Sequence, residues 1–208
     1  MEQSEHFISP IWFEERPEFL KHLIKSTDPY IKESRKRNKL IIKQTKDFGY
    51  SHSSTSLLGD KNFSEFIEYI GAKSIEFLDN QGYAMNKYNS VFTELWVQEF
   101  SKNGGGHQSV HTHYNNHVSG FYFLKCSPET SKPVFYDPRP GAEMTKLQLK
   151  NPNEMCVATN KIRLTPTPGT IIIFNSYLPH EFSVDSGKEP FRFIHWNIQS
   201  SLLPIKNV

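Results

Sequence analysis

The periodicity of the apolar residues changes near residue 90, and this change constrains the fold more than any other feature of the sequence. Before it, FSEFIEYIGAKSIEFLDNQG (63–82) repeats apolar residues every three or four positions, which predicts an amphipathic helix that stops before Gly82. A second helix is predicted over residues 18–37, with a kink or break at Pro29. FGYSHSSTSLLGD (48–60), rich in Ser and Gly, predicts a loop between them.

After residue 90 the apolar residues alternate with polar ones, which predicts short β-strands. No helical pattern interrupts these strands, so we expect an antiparallel barrel or sandwich with the helices packed outside it. One domain is predicted over residues 1–208, with a helical part over about 1–88 and a β core over about 89–201. The strand-like pieces are VFTELWVQEF (91–100), VSGFYFL (118–124), PVFYD (133–137), two within KIRLTPTPGTIIIFN (161–175), and FRFIHWNIQ (191–199).

Composition and charge narrow the functional class. Aromatic residues make up 13% of the chain, which is typical of a packed globule and not of a disordered segment. The net charge of +2 indicates no nucleic-acid footprint, and the basic run KESRKRNK (32–39) fits a solvated helix face. Cys126 and Cys156 form no CxxC pair, and no apolar leader or membrane-length run is present. We therefore expect a cytoplasmic protein.

Histidines are concentrated in HQSVHTHYNNH (107–117), which holds four of the nine in the chain. A metal site, a chance cluster on a solvated loop and a pH-sensing patch all fit this segment taken alone. His111 and His113 are two residues apart, so in a strand both side chains point to the same face. We expect His107 and His117 to be solvated loop residues, and His195 to lie on the outer face of its strand.

His180 and Arg192 extend this pattern into the last third of the chain. A non-haem iron site takes three protein ligands on one face and leaves three positions open. Two ligands from one strand and a distant third, His180, would supply that arrangement. Arg192 follows twelve residues later, and its guanidinium can hold the distal carboxylate of a dicarboxylic co-substrate.

Four segments together resemble the motifs of the 2-oxoglutarate- and Fe(II)-dependent oxygenases of bacteria and marine phages. The resemblance is close over about residues 90–200, and FISPIWF (7–13) is similar to that family's N-terminal strand. It implies a mainly β fold with flanking α-helices, whose core is a double-stranded β-helix of the jelly-roll, cupin-like kind. The segments are HTHYNNHVSGFYFL (111–124), PVFYDPR (133–139), PTPGTIIIFNSYLPHEF (166–182) and RFIHWNI (192–198).

The resemblance also implies roles for single residues. His111 and His180 match the iron-binding histidines, and Arg192 matches the residue that binds the 2-oxoglutarate carboxylate. His113 stands where the wider superfamily has Asp or Glu, so the third ligand is either His113, the preferred reading, or a carboxylate such as Asp137.

The implied activity is oxidative decarboxylation of 2-oxoglutarate to succinate, coupled to hydroxylation or a related oxidation of an organic substrate. The expected cofactors are Fe(II), 2-oxoglutarate and O2, with ascorbate as a candidate reductant. Neither the substrate nor an oligomeric state follows from the sequence, and a phage-encoded protein would act in the host cytoplasm. By strand parity, the co-substrate pocket is predicted to be lined by Gln98, Phe100, Ser119 and Phe123.

Two other classes compete with this reading. A zinc hydrolase could use the same histidines, but it would need a general base near the metal and no obligatory arginine. A non-catalytic jelly roll for binding or structure would make the histidines incidental. Metal analysis combined with titration of 2-oxoglutarate separates the three.

Overall fold

The computed structural model describes residues 6–204, and its helices lie mostly in the first half of the chain. They are α1 (Leu20–Arg37), α2 (Lys39–Thr45), α3 (Ser64–Asp79) and α4 (Pro140–Met144). A short 3-10 turn precedes α1, which continues through Pro29. The helix predicted over 63–82 is confirmed as α3, and Gly82 takes the left-handed conformation just after it, with φ of 93°. No helix within residues 6–204 combines the length and apolar character needed to cross a membrane.

Within residues 6–204, ten strands form two antiparallel sheets. The major sheet has the order β1-β8-β5-β10-β3-β2 and the minor sheet the order β4-β9-β6-β7. Because the strands from β3 to β10 are shared between the two facing sheets, the predicted double-stranded β-helix is confirmed. The strands are β1 (Ile11–Glu15), β2 (Ser51–Ser53), β3 (Tyr88–Phe100), β4 (Gln108–His111), β5 (Val118–Lys125), β6 (Pro133–Tyr136), β7 (Lys161–Arg163), β8 (Thr170–Asn175), β9 (His180–Phe182) and β10 (Arg192–Leu202).

The major sheet is buried on both faces. Its outer face packs on α1 and α3, where Trp196 of β10 contacts Phe66 of α3 with ring centroids 6.3 Å apart. Its inner face packs on the minor sheet through a second cluster made mainly of Phe side chains, among them Phe121 of β5 and Phe182 of β9, 4.9 Å apart. The helices therefore close the outer face, and the space between the sheets is left for the histidines.

The segment predicted as helical, about residues 1–88, also contributes strands. β1 pairs with β8 and β2 pairs with β3, so two strands from the first 88 residues extend the major sheet at its edges. β2 lies in the segment predicted as a loop. Its His52 is fully buried, and His52 Nε2 lies 3.0 Å from Asp47 Oδ1.

Candidate metal centre

His111, His113 and His180 come together at one end of the space between the sheets. His111 is the last residue of β4 and lies opposite His180, the first residue of β9. His113 lies beyond the end of β4, where its backbone N–H donates to Ser176 O at 3.0 Å. Each side chain offers a nitrogen, and the three nitrogens all lie within 4.8 Å of one another. The structure thus brings the three predicted ligands together, although only His111 belongs to the strand from which two were expected.

Backbone carbonyls fix two of these rings in the form that a metal ligand needs. His111 Nδ1 donates to Ser109 O at 2.7 Å, and His180 Nδ1 donates to Leu178 O at 2.9 Å. In the neutral ring the Nε2 lone pair is then free for a metal. His180 Nε2 is buried and has no hydrogen-bond partner among the described residues. Such an orphaned acceptor is costly unless a ligand occupies it.

The third ring, that of His113, is held differently. Asn197 Nδ2 donates to His113 Nδ1 at 3.2 Å and to Glu94 Oε2 at 2.9 Å, while Asn197 Oδ1 accepts from Ser119 Oγ at 2.6 Å. These partners orient the amide, so Nδ1 of His113 accepts and the proton of the neutral ring sits on Nε2. Binding a metal through Nε2 requires the amide to turn and present its oxygen to His113.

Glu94, His113 and His195 form a second group whose donor atoms lie within 4.8 Å of one another. His113 and His195 stack, with an interplanar angle of 27° and centroids 4.7 Å apart, and Glu94 Oε2 already accepts from Asn197 Nδ2. In the first group, the Nδ1 atoms of His111 and His180 are bonded to backbone carbonyls, which leaves their Nε2 atoms for an ion. His111, His113 and His180 are therefore the better metal-ligand set, and His195 packs against it.

The position of His195 differs from the prediction. It was expected on the outer face of its strand, but it is 1% exposed and lies on the inner face. His195 Nδ1 donates to Gly120 O at 3.1 Å, and its Nε2 lies 3.9 Å from Glu94 Oε2. His195 was not predicted to lie at the site, and Asn197 was not singled out from the sequence. The alternation of Phe193, His195 and Asn197 along the strand was the available signal.

Burial keeps the imidazoles of His113, His180 and His195 neutral. It lowers the pKa of His113 to about 4, with a further contribution from the nearby His111. Burial also lowers the pKa of His180 to about 3, despite its bond to Leu178 O. The pKa of His195 is lowered well below its usual value for the same reason. Neutral imidazoles are the form that binds metal, so the site is set for a cation at neutral pH.

Asp137, the alternative third ligand, faces another partner. Its carboxylate accepts from Arg139 Nε at 2.9 Å, from Arg139 Nη2 at 2.7 Å and from the backbone N–H of Arg139 at 2.9 Å. The bonds from Arg139 hold the pKa of Asp137 below its usual value. This carboxylate closes the turn after β6, and the carboxylate beside the histidines is that of Glu94.

Arg192 does not face the histidines, which corrects the predicted co-substrate contact. Arg192 Nε and Nη2 donate to Glu99 Oε2 at 2.8 and 2.6 Å, and Nη1 donates to Asp28 Oδ1 of α1 at 2.6 Å. The side chain therefore lies on the outer face of the major sheet, under α1. Phe193 occupies the inner face at the next position of β10.

The four residues predicted to line the co-substrate pocket are buried on the inner face, as their parity indicated. Gln98 Oε1 accepts from Gln108 Nε2 at 2.7 Å, and Ser119 Oγ donates to Asn197. Phe100 and Phe123 belong to the inner aromatic cluster. Their contact with a co-substrate stays a prediction.

The donor set fits iron. Three imidazole nitrogens from one side suit a mid- to late-row divalent metal and leave coordination positions open. The same residues do not fit 2-oxoglutarate held by an arginine, because the guanidinium predicted for that role points away from the metal site.

Comparison with known proteins identifies the domain. Residues 94–193 match the model of the family described as "Putative 2OG-Fe(II) oxygenase", a span that contains all three clustered histidines. No curated protein sequence matches the chain. Residues 94–193 therefore match an enzyme domain of the non-haem Fe(II)/2-oxoglutarate-dependent oxygenase class, and the enzymes of that class use Fe(II), 2-oxoglutarate and O2.

Two solved structures, with TM-scores above 0.5, support the fold. The chain is similar to the epimerase SnoN in complex with Fe3+, alpha ketoglutarate and nogalamycin RO, with a TM-score of 0.58, 11% identity, and coverage of 94% of this chain and 82% of that one. A Pseudomonas putida prolyl-4-hydroxylase gives a TM-score of 0.53 and 12% identity over 90% of this chain and 91% of that one. A Burkholderia pseudomallei 2OG-Fe(II) oxygenase family oxidoreductase, with a TM-score of 0.42 and 14% identity, aligns over 69% of this chain and 54% of its own length.

Proposed function

We propose that this 2OG-Fe(II) oxygenase domain binds Fe(II) through His111, His113 and His180 and couples decarboxylation of a 2-oxo acid to hydroxylation of an organic substrate. One observation carries the proposal. Three imidazole nitrogens lie within 4.8 Å of one another inside the segment that matches the family. Bound iron would supply the redox chemistry with O2, and the protein would supply the ligands and the dry surroundings.

The residues around the ligands support this role. The backbone carbonyls of Ser109 and Leu178 hold the rings of His111 and His180 in the ligand tautomer. The His180 ring packs on Phe174 and Phe121, with centroids 4.8 and 5.7 Å apart. These aromatic rings exclude water from the interior side of the metal.

Hydroxylation is the proposed outcome because it needs no partner beyond the family's own cofactors. In that reaction the 2-oxo acid loses its first carboxylate as CO2, one atom of O2 enters the resulting carboxylic acid, and the other enters the substrate as a hydroxyl group. The prolyl-4-hydroxylase and the epimerase among the similar structures show that the fold hosts different reactions. The organic substrate of this chain is left open.

We also propose that the enzyme acts in a reducing cytoplasm, that of the host if a phage encodes it. Cys126 and Cys156 are both free thiols in the structure, which fits such a compartment. The small net charge gives no reason to expect a nucleic-acid partner.

Metal reconstitution tests the proposal. Purified protein loaded anaerobically with Fe(II) is mixed with a set of 2-oxo acids and O2, and CO2 release is measured together with O2 consumption. We expect release with iron and none with zinc, and we expect His180→Ala to abolish it. His107→Ala, which changes an exposed histidine of the same segment, is the matched control and keeps activity.

Two results would contradict the proposal. Hydrolytic activity that zinc supports without a 2-oxo acid would favour the hydrolase, with Glu94 as its base. Iron that binds without any 2-oxo-acid-dependent consumption of O2 would favour a non-catalytic module.

A further inference from the structure

The inner face of β10 carries no positive charge next to the metal site. From residue 191 to 197, the side chains that face the space between the sheets are those of Phe191, Phe193, His195 and Asn197. Arg192 faces α1 and is committed to Glu99 and Asp28. A ligand bound to the metal therefore does not meet the guanidinium that a dicarboxylic co-substrate needs.

The interior direction from the metal ligands is lined by aromatic rings. His180 lies 4.8 Å from Phe174, 5.7 Å from Phe121 and 5.9 Å from Phe135, measured between ring centroids. Farther in, Phe182 stacks on Phe193 at 4.5 Å. A carboxylate placed among these rings would lose its hydration and gain no charged hydrogen bond, which is a large cost. A branched alkyl or aryl group would pack against these apolar rings.

The outward direction is unfavourable to a second carboxylate for another reason. Glu94 lies beside the stacked pair, with Oε2 3.9 Å from His195 Nε2, and its side chain is 49% exposed. Trp96 extends the same stack, with its ring centroid 4.7 Å from that of His195. A carboxylate that turned outward would thus approach a like charge beside an indole ring.

We infer that the metal centre selects a 2-oxo acid with a single carboxylate and an apolar tail, and that it binds 2-oxoglutarate less tightly. This inference rests on the proposed function, since it concerns the acid that the iron site takes up. The reaction balances as for 2-oxoglutarate: the keto acid R–CO–COO− gives R–COO− and CO2, with one oxygen atom from O2, and the other atom enters the substrate.

A cavity of about 480 Å³ between β1 and β6–β7 offers one competing place for a distal carboxylate. Phe135 and Leu178 line it, and so do two cations, Arg139 and Lys161. Lys161 Nζ lies 3.8 Å from Glu181 Oε1 and 4.8 Å from the centroid of the Tyr136 ring, so it already has partners. The Arg139 guanidinium is already bonded at two nitrogens to Asp137, which leaves it a poor anchor for a second carboxylate. Dependence of 2-oxoglutarate binding on Arg139 would contradict the inference.

The test compares two acids that differ at one end. In 5-methyl-2-oxohexanoate an isopropyl group replaces the distal carboxylate of 2-oxoglutarate, and the chelating end is unchanged. Fe(II)-loaded protein is titrated anaerobically with each acid, and the visible charge-transfer band reports chelation without turnover. We expect 5-methyl-2-oxohexanoate to bind about tenfold more tightly or better, since a buried carboxylate without a partner forfeits a charge-assisted bond.

Three variants separate the causes. Glu94→Gln removes the charge that would repel an outward carboxylate, so it should reduce the difference in affinity between the two acids. Glu68→Gln, which changes an exposed carboxylate on α3, should leave that difference unchanged. Arg139→Ala should leave both affinities unchanged. Iron content is measured in each variant, and loss of iron in Glu94→Gln would make Glu94 a ligand and overturn the outward part of the argument.

The outcomes distinguish the inference from the proposed function. Tighter binding of 2-oxoglutarate, or equal binding of the two acids, overturns the inference and leaves the iron oxygenase intact. Absence of the band with both acids in iron-loaded protein overturns the 2-oxo acid chemistry and the inference with it.

Discussion

Arg192 and Phe193 are neighbours in β10 and point to opposite faces of the major sheet. The guanidinium lies under α1 with Glu99 and Asp28, whereas the phenyl ring stacks on Phe182 between the sheets. The positive charge expected at the metal centre is therefore part of an ion-pair network that joins α1 to the sheet. Arg35 of α1 extends this network, because it donates to Glu99 Oε1 at 3.0 Å.

Arg192→Ala should destabilise the protein without changing its binding of iron or of 2-oxo acids. Removing one partner of a buried ion pair costs about 3 kcal/mol or more, although Arg35 remains to compensate Glu99. Urea unfolding measures the first effect, and the anaerobic titration with 2-oxo acids measures the second. Unchanged stability with weakened 2-oxoglutarate binding would return Arg192 to the co-substrate role.

His113→Ala and Asp137→Ala should differ in iron affinity. Loss of a ligand lowers the affinity more than about 100-fold, beyond the usual effect of a residue that only orients a ligand. Asp137→Ala should leave the affinity unchanged because its carboxylate is bound to Arg139. His113→Asp should retain iron, since a carboxylate would replace the imidazole. Equilibrium dialysis with metal analysis gives these values, and iron lost only in Asp137→Ala would contradict the three-histidine set.

Strong periodicity made most of the fold predictable. The helix α3 follows from its apolar spacing, and the strands β3, β5, β8 and β10 follow from runs of apolar and aromatic residues bounded by turn residues. β4 and β9 have four and three residues, and they exist because each pairs with the other. Such strands depend on tertiary contacts and leave little trace in the sequence. The helix α2 was not predicted either, because its seven residues are too few to show a helical period.

The orientation of β10 was not predictable from its pattern. FRFIHWNIQ has apolar residues at both parities, because Ile194 and Trp196 face the helices while Phe191 and Phe193 face the minor sheet. A strand that is buried on both faces does not reveal which parity lies inside, and an error of one residue exchanges the faces. The error placed Arg192 inward and His195 outward.

The metal-free protein should lose stability as the pH falls below about 6.5. The pKa of His113 is lowered to about 4 and that of His180 to about 3. Below about pH 6.5 the two side chains therefore bind protons in the unfolded chain but not in the folded protein. Each histidine then contributes a loss of about 1.4 kcal/mol per pH unit from pH 6.5 down to its folded pKa, and no slope above pH 6.5.

Urea unfolding at a series of pH values, in the presence of a chelator, measures this slope. His180→Gln should reduce it, whereas His107→Gln, at an exposed position, should not. A slope that is unaltered in His180→Gln would show that acid lability arises elsewhere in the protein.

The last prediction concerns the amide of Asn197, which sets the proton of His113. With Nδ2 directed at both Glu94 and His113, the amide favours the His113 tautomer that cannot bind metal through Nε2. Replacing it with a carboxylate in the double variant Asn197→Asp, Glu94→Gln gives His113 Nδ1–H an acceptor and removes the like charge beside it. We expect metal affinity to rise about tenfold, since a carboxylate behind a ligating histidine both orients the ring and makes it more basic. In the metal-bound form the amide must turn its oxygen towards His113 Nδ1–H, so Asn197→Ala removes that acceptor and should lower the affinity. Glu94→Gln alone, the matched control, should change the affinity little. Competition with a chromophoric chelator at neutral pH gives the three affinities. If neither change at position 197 alters metal binding, His113 is not a ligand, and the ion is held by His111 and His180 with a donor other than this ring.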